Sequence, residues 1–93
     1  MPTQDRLENL INIGPKIADR IRAVGISSAD EFLKSDPYDV FEKMDRKERS
    51  NLCRCVLACL VGAKYGQKWH EITKLTAKEY EKRRPEHRWR NNC

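Results

Sequence analysis

Helix start and stop signals recur at short intervals along this chain and constrain its fold more than any other sequence feature. No run of four to eight residues alternates apolar and polar side chains with the β-branched enrichment typical of a strand. Prolines and polar caps mark helix starts, and glycines mark helix ends. The pattern predicts an all-α fold, a compact domain of five to six helices over residues 1–82, followed by a basic tail, residues 83–93, which we expect to fray.

The helix bounds follow from these signals together with apolar residues at three- and four-residue spacing. The longest predicted helix is expected to be central, because its apolar residues cover a broad arc. A capping box at Thr76-x-x-Glu79 predicts a late start for the last helix, which leaves Gln67–Lys74 as a connector. The predicted segments are Gln4–Ile11 capped by Thr3, a helix from Pro15 that stops at Gly25, a short helix opened by Ser28-x-x-Glu31, a helix opened by Asp36-Pro37, Arg46–Tyr65 capped by Asp45 and ended by Gly66, and a short helix from Thr76 through Lys82.

Positive charge is concentrated toward the C-terminal end. Residues 1–63 hold ten Lys or Arg and ten Asp or Glu, whereas residues 64–93 hold nine against four, so the net charge of +5 comes from the last thirty residues. Cations interleaved with aromatic side chains favour a polyanionic partner, and a solvated terminus without a partner is the alternative. Aromatic side chains among these cations include Trp69, His70, Tyr80, His87 and Trp89.

Length and hydropathy exclude several classes of protein. A chain of 93 residues is expected to form one domain. No apolar run approaches the roughly 20 residues that span a bilayer. The first residues carry neither the basic region nor the apolar core of a signal peptide. We therefore expect a cytoplasmic protein with no membrane partner.

The segment Leu10–Ile21 is the most informative stretch for function. Asn12 and Gly14 tolerate the positive φ of a tight turn, and Ile13 between them is expected to point into the core. Backbone N–H groups from Ile13 onward are expected to face solvent at the positive end of the next helix, where they would hold a phosphate oxygen. Lys16 adds a positive charge in the first turn. Such contacts to backbone phosphate read no base sequence.

These residues resemble the helix-hairpin-helix motif, in which a Gly-hydrophobic-Gly turn precedes a helix that bears a small residue one turn later. Asn12 replaces the first glycine of that pattern. The resemblance implies non-enzymatic, sequence-nonspecific, salt-sensitive DNA binding. The predicted phosphate-binding residues are Asn12, Ile13, Gly14, Lys16 and Ala18, and the predicted accessory contacts are Arg20, Lys78, Lys82, Arg83 and Arg84.

A broader resemblance covers Leu7 to Glu81 and points to the C-terminal domain of the TfoX/Sxy proteins. It rests on the turn Leu10–Lys16, the long helix that ends in Leu60-Val61-Gly62-Ala63, and the stretch Gly66–Ile72. It implies a link to the regulation of DNA competence or transcription. Small bacterial helix-hairpin-helix proteins, described only as pathogenicity-locus products, share Asp36-Pro37-Tyr38 and the cysteine-bearing helix.

Nothing in the sequence favours an enzyme, a cofactor or a small-molecule substrate. Cys53 and Cys55 point to different faces of a helix and cannot form a disulfide there, and Cys59 shares a face with Cys55. The spacing lacks the Cys-x-x-Cys pairs of a zinc site, so we expect no metal and predict that Cys55 and Cys59 pack in the core. A cysteine-bound metal is the alternative. Cys93 is the fourth cysteine.

Two interpretations of Trp69 stay open at this stage. A large aromatic side chain in a short connector is expected to pack its ring against the preceding long helix. Stacking on a nucleic-acid base is the alternative. The same choice applies to the whole chain: a protein-interaction module that docks through its helices and the Trp69 connector is the alternative to DNA binding.

Overall fold

Five α-helices and one short 3-10 helix make up the regular structure of residues 6–48 and 52–89, the part of the chain that the computed structural model describes. No strand occurs in these two ranges, which confirms the all-α prediction. None of the helices there is both long and apolar enough to cross a membrane. The elements are the 3-10 helix Leu7–Asn9, α1 Pro15–Ala23, α2 Ala29–Leu33, α3 Pro37–Glu48, α4 Arg54–Tyr65 and α5 Trp69–Arg83.

Helix α4 forms the centre of the domain. All residues from Leu57 to Ala63 are buried, and seven consecutive buried positions mean that the helix is covered on every side. It packs against α3 and α5. Large side chains from several elements complete the core, among them Leu7, Ile21, Phe32, Phe41 and Met44. The prediction that the apolar segment around 52–63 is central is confirmed.

Three of the helix ends predicted from local capping residues occur in the structure. The Ser28 Oγ accepts a hydrogen bond from the Glu31 amide at 3.1 Å. The Asp36 Oδ1 accepts one from the Tyr38 amide at 2.9 Å and opens α3. Gly66 ends α4 in the left-handed conformation with φ of 71°. In each case a side chain or a glycine satisfies backbone groups that the helix leaves without partners.

The first predicted helix, Gln4–Ile11, is a short 3-10 helix within the described residues. Asn9 N–H donates to the Arg6 carbonyl and Leu10 N–H to the Leu7 carbonyl, both at 3.0 Å, so the spacing is three residues instead of four. The chain then turns through Asn12, whose φ of 71° no helix can include. Thr3, Gln4 and Asp5 lie outside the described residues.

The predicted start of the central helix at Arg46 is wrong. Helix α3 runs past Asp45 to Glu48, and α4 begins at Arg54. Asp45 does cap a backbone amide, but from inside α3: its Oδ1 accepts from the Leu52 amide at 3.1 Å. The carboxylate therefore serves the chain that leads into α4, a partner that lies seven residues away and that a local capping pattern does not reveal.

The predicted start of the last helix at Thr76 is also wrong. Helix α5 begins at Trp69, so the connector shrinks to three residues, 66–68. Thr76 is 1% exposed in the middle of α5, and its Oγ1 donates to the Ile72 carbonyl at 3.0 Å. The hydroxyl is thus satisfied inside the helix, and the buried face of Ile72, Thr76 and Tyr80 packs α5 onto the domain.

Residues 84–89, in the segment that we expect to fray, pack on the domain. His87 and Trp89 lie against the rings of Phe41 and Tyr80, with centroid separations between 5.1 and 5.8 Å. The Trp89 Nε1 donates to the Glu81 Oε2 at 2.8 Å. Aromatic packing and this hydrogen bond hold the segment against α3 and α5. The domain boundary at 82 stays a prediction.

Gly62 lies where the loop after α4 folds back on that helix. Gln67 N–H donates to the Gly62 carbonyl at 2.9 Å. A Cβ on Gly62 would stand 2.3 Å from the Gln67 carbonyl oxygen and 2.5 Å from the Asn12 Nδ2. Both distances are far below van der Waals contact, so only glycine allows this approach.

We predict that Gly62→Ala destabilises the protein by about 1–3 kcal/mol, because the added methyl displaces backbone. The direction of this change is informative, because replacing a glycine within a helix by alanine otherwise stabilises the protein by up to ~1 kcal/mol. Urea denaturation followed by circular dichroism measures the change. Gly14→Ala is the control: a Cβ there meets nothing within 4 Å, so its effect is expected to stay below about 1 kcal/mol. A Gly62→Ala protein as stable as the wild type would contradict the prediction.

Candidate functional site

The turn before α1 combines one left-handed residue with one buried anchor. Asn12 adopts the positive φ expected of it, and Ile13 is 5% exposed, as predicted. The Ile13 amide donates to the Leu10 carbonyl at 3.2 Å, so the expectation of an open N–H group is wrong for this residue. Gly14 has an extended backbone with φ of −92° and does not need the conformational freedom of glycine. Its exposed position leaves open space beside the chain.

The start of α1 is open. Gly14 is the N-cap and provides no side-chain cap, Pro15 follows at the first position, and no acidic residue lies in the first turn. The amides of Lys16 and Ile17 make no hydrogen bond within the described ranges. Ala18 is fully buried and its amide donates to the Gly14 carbonyl at 2.9 Å, so it serves the packing of α1. The helix therefore presents open donors at its positive end.

Asn12 joins this turn to the start of α5. Its Nδ2 donates to the Gln67 carbonyl at 2.8 Å, and its Oδ1 accepts from the Trp69 amide at 3.3 Å. The amide thus uses both of its polar atoms inside the protein and occupies the space that Gly62 leaves free. Asparagine at the first turn position consequently holds the beginnings of two helices side by side, which a glycine there would not do.

Three of the predicted accessory cations are engaged with carboxylates. Arg20 donates from Nε and Nη2 to one carboxylate at 2.8 and 2.7 Å. Arg83 lies 3.2 Å from a second carboxylate and its guanidinium stacks 4.5 Å from the centre of a tyrosine ring. Arg84 contacts a third. Their partners are Glu48, Asp36 with Tyr38, and Glu42, respectively. These arginines tie the helices together, and their charge is largely neutralised.

The exposed lysines of α5 are a different group. Lys78 makes no ion pair within the described ranges, and Lys82 lies 3.9 Å from Glu79. Lys74 precedes Lys78 by four residues, so the three lysines follow one face of the helix. Lys68 stands at the N-cap of α5, beside the residues that Asn12 contacts. Sequence reasoning did not single out Lys68 and Lys74, because both fell in a predicted connector; for Lys74 the four-residue spacing to Lys78 was the available signal.

Three of the four cysteines lie within the described residues, at and near the start of α4 and inside it. Cys59 is buried, and burial raises the pKa of its thiol to about 11. Cys53 is the N-cap of α4 and Cys55 is half-buried. No group of three or more His, Cys, Asp or Glu side chains within residues 6–48 and 52–89 could hold a metal ion. Cys93 lies outside the described residues. The core position predicted for Cys59 is confirmed, whereas Cys55 lies at the edge of the core.

A cavity of about 320 Å³ lies where residues 84–87 meet α3 and Tyr80 of α5. The His87 side chain is 5% exposed, its Nδ1 lies 3.8 Å from the Asp45 Oδ2, and its Nε2 is buried without a hydrogen-bond partner. Burial raises the pKa of Tyr80, so its hydroxyl stays protonated. The lining contains no serine, threonine or cysteine to act as a nucleophile; it consists of Glu42, Asp45, Arg46, Tyr80, Arg84, Glu86 and His87.

Comparison with known proteins identifies the family. A family model described as Cdd1, pathogenicity locus, matches residues 2–90. The chain belongs to this family. No curated protein and no solved structure shows significant similarity to it. The match confirms the expected relationship to pathogenicity-locus proteins. The description of the Cdd1 family names a locus and not a chemical activity.

We predict that the two hydrogen bonds of the Asn12 side chain stabilise the folded protein. Asn12→Gly keeps the positive φ but removes both bonds, and the expected loss is about 1–2 kcal/mol. Asn12→Ala adds the strain of a Cβ at positive φ, which makes it about 1 kcal/mol less stable than Asn12→Gly. Urea denaturation of both variants measures the contribution of the hydrogen bonds and the strain of the Cβ. Equal stability of wild type and Asn12→Ala, which both carry a Cβ at positive φ and differ in the two bonds, would show that the bridge to the Gln67 and Trp69 backbone contributes nothing.

We predict slow reaction of Cys59 with a thiol reagent at pH 8, because a thiol with a pKa of about 11 is almost wholly protonated there. Mass spectrometry of peptides after timed exposure to Ellman's reagent measures the rate at each cysteine. Cys53, which is half-buried at the start of α4, is the internal comparison and is expected to react faster. In urea the two rates should converge. Equal rates in the folded protein would contradict the burial of Cys59.

Proposed function

We propose that this protein binds the phosphate backbone of DNA without reading base sequence, and that it is not an enzyme. The open start of α1 carries the proposal: Lys16 and Ile17 offer unpaired amides, no acidic residue lies in the first turn, and Gly14 leaves room for an approaching group. A phosphate oxygen is the natural ligand of such a helix start, because open N–H donors and the helix dipole act on it together.

Lys16 supplies the local positive charge. Its side chain is exposed and, among the described residues, forms no ion pair with a carboxylate. A cation in that state releases a condensed counterion from DNA when it contacts a phosphate, which makes binding favourable and salt-dependent. The contacts reach phosphate and not base edges, so affinity is expected in the range of nonspecific binding, roughly 10⁻⁴–10⁻⁶ M at physiological salt.

The accessory surface follows the lysines of α5. Arg20, Arg83 and Arg84 are engaged with carboxylates, so their release for a phosphate would cost existing ion pairs. Lys68, Lys74 and Lys78 are exposed and make no ion pair within residues 6–48 and 52–89, and we propose them in place of the arginines. Lys82 stays in the accessory set with a weak contact to Glu79 at 3.9 Å. The net charge of +5 attracts DNA over a longer range.

Two resemblances support the proposal. The turn Asn12-Ile13-Gly14 and the buried Ala18 one turn later fit the helix-hairpin-helix pattern, whose known role is phosphate contact. The resemblance to the TfoX/Sxy C-terminal domain suggests that the DNA contact serves competence or transcription regulation. We place that activity in the cytoplasm. In this proposal Ile13 and Ala18 act by packing, and Gly14, Lys16 and the Ile17 amide meet the phosphate.

A protein-interaction module is the second candidate function. The observation that favours it is a set of large apolar side chains at the surface, with exposed fractions from 37% to 68%. Such residues are typical anchors of protein interfaces when they cluster. They are Ile11, Leu33, Tyr65, Trp69 and Leu75. This function predicts partner binding that survives removal of the Lys16 charge.

We predict that Lys16→Glu weakens binding to a short DNA duplex at least about tenfold and lowers the slope of log affinity against log salt by about 1, because one phosphate contact is lost. Fluorescence anisotropy of a labelled duplex at two salt concentrations measures both quantities. Lys43→Glu is the matched control, since it makes the same change in net charge on exposed α3 residue Lys43. Its effect is expected to be much smaller.

Two outcomes contradict DNA binding through α1. Equal weakening by Lys16→Glu and Lys43→Glu would mean that net charge acts without a local site. Absence of duplex binding at low salt, with no change in the amide resonances of residues 12–18, would remove the proposed function altogether. Resonance changes confined to Gly14, Lys16 and Ile17, which fade as salt rises, are the expected result.

A further inference from the structure

Trp69 is a surface aromatic whose position the fold holds in place. Its exposed fraction is 37%, and its ring meets the His70 ring edge to face, with centroids 5.6 Å apart. It does not belong to the apolar cluster that fills the core. The expectation that the ring packs against α4 stays a prediction. An indole left partly in water offers a flat apolar surface for a ligand.

The Trp69 backbone is fixed next to the start of α1. The Asn12 Oδ1 accepts from its amide at 3.3 Å, and Asn12 precedes the N-cap Gly14 by two residues. Two residues of chain span at most about 7 Å. The Trp69 backbone consequently lies close to the N-cap of α1, and the open amides follow that N-cap by two and three residues. We call this region the Asn12 corner: the turn 12–17 together with residues 68–70.

Charge at the Asn12 corner is complementary to a polyanion. Lys16 and Lys68 are exposed there, and the described residues provide neither with an ion-pair partner. Glu71 in the first turn of α5 is the opposing charge. Protein-interface cores are depleted in lysine, whereas surfaces for single-stranded nucleic acid combine cations with exposed aromatic rings. The combination favours a nucleic acid over a protein as the occupant.

We infer that the Asn12 corner binds single-stranded nucleic acid, with one unstacked base on the Trp69 indole and a neighbouring phosphate at the start of α1. The inference rests on the proposed function for its phosphate contact. Bases within a duplex are already stacked on both faces, so only a single strand offers a base to the ring. Stacking uses the face that every base has, and the site is therefore expected to tolerate sequence.

The experiment compares a labelled thymidine oligonucleotide with a duplex of equal length, by anisotropy and by tryptophan emission. The wild type is expected to bind the single strand more tightly, with quenching of emission. Trp69→Ala should weaken single-strand binding by roughly 5- to 100-fold, the usual contribution of one stacked base, and leave duplex binding unchanged. Trp69→Phe keeps a ring and should retain most of the affinity. Its remaining tryptophan, Trp89, reports whether quenching comes from Trp69.

Leu75→Ala is the matched control, since Leu75 is a 68% exposed apolar residue of the same helix; no change is expected. Circular dichroism tests whether each variant is folded. If Trp69→Ala does not fold, Trp69→Phe still provides the quenching comparison. Single-strand affinity that is equal in wild type and Trp69→Ala overturns the inference, as does the absence of quenching that Trp69→Phe removes.

Lys16→Glu separates this inference from the proposed function. If it weakens both ligands while Trp69→Ala changes neither, phosphate binding stands and base stacking falls. If Trp69→Ala weakens the single strand while Lys16→Glu is silent, stacking stands and the α1 phosphate site falls. If no nucleic acid binds at low salt, both fall, and the exposed apolar residues point to a protein partner.

Discussion

The fold depends on the burial of α4 on all sides. A helix with seven consecutive buried residues has no polar face, so every neighbouring element must cover it to keep its apolar surface from water. Helices α3 and α5 do so directly. At Gly62 this cover comes very close, because the absence of a side chain lets the loop backbone and the Asn12 amide reach the helix.

The Asn12 side chain uses that close approach to hold the turn before α1 against the start of α5. It tolerates positive φ, as the turn requires, and its amide also reaches Gln67 and Trp69. A glycine would satisfy the first need but not the second. The start of α1 and the start of α5 are therefore neighbours, and exposed lysines and a partly exposed indole lie on the two segments that Asn12 joins.

Much of the fold was predictable because its determinants are local. Ser28, Asp36 and Gly66 act within one turn of their own positions, and short-range hydrogen bonds or positive φ reveal such roles. Asp45 and Thr76 are equally good caps by residue type, and the pattern assigned them to helix starts. The structure uses both inside helices, since Asp45 caps the distant Leu52 and Thr76 is buried. Propensity does not register such tertiary partners.

The amino-acid sequence by itself determined the helical class, the apolar central segment, the turn at Asn12 and the cation in the first turn of α1, because periodicity, capping and φ tolerance act between near neighbours. Tertiary structure alone decided which charges stay free. Arg20, Arg83 and Arg84 meet carboxylates 28 to 47 residues away, whereas Lys16 and Lys68 pair with no carboxylate within residues 6–48 and 52–89. Long-range contacts depend on how the helices pack, and the spacing of residues along the sequence does not reveal that packing.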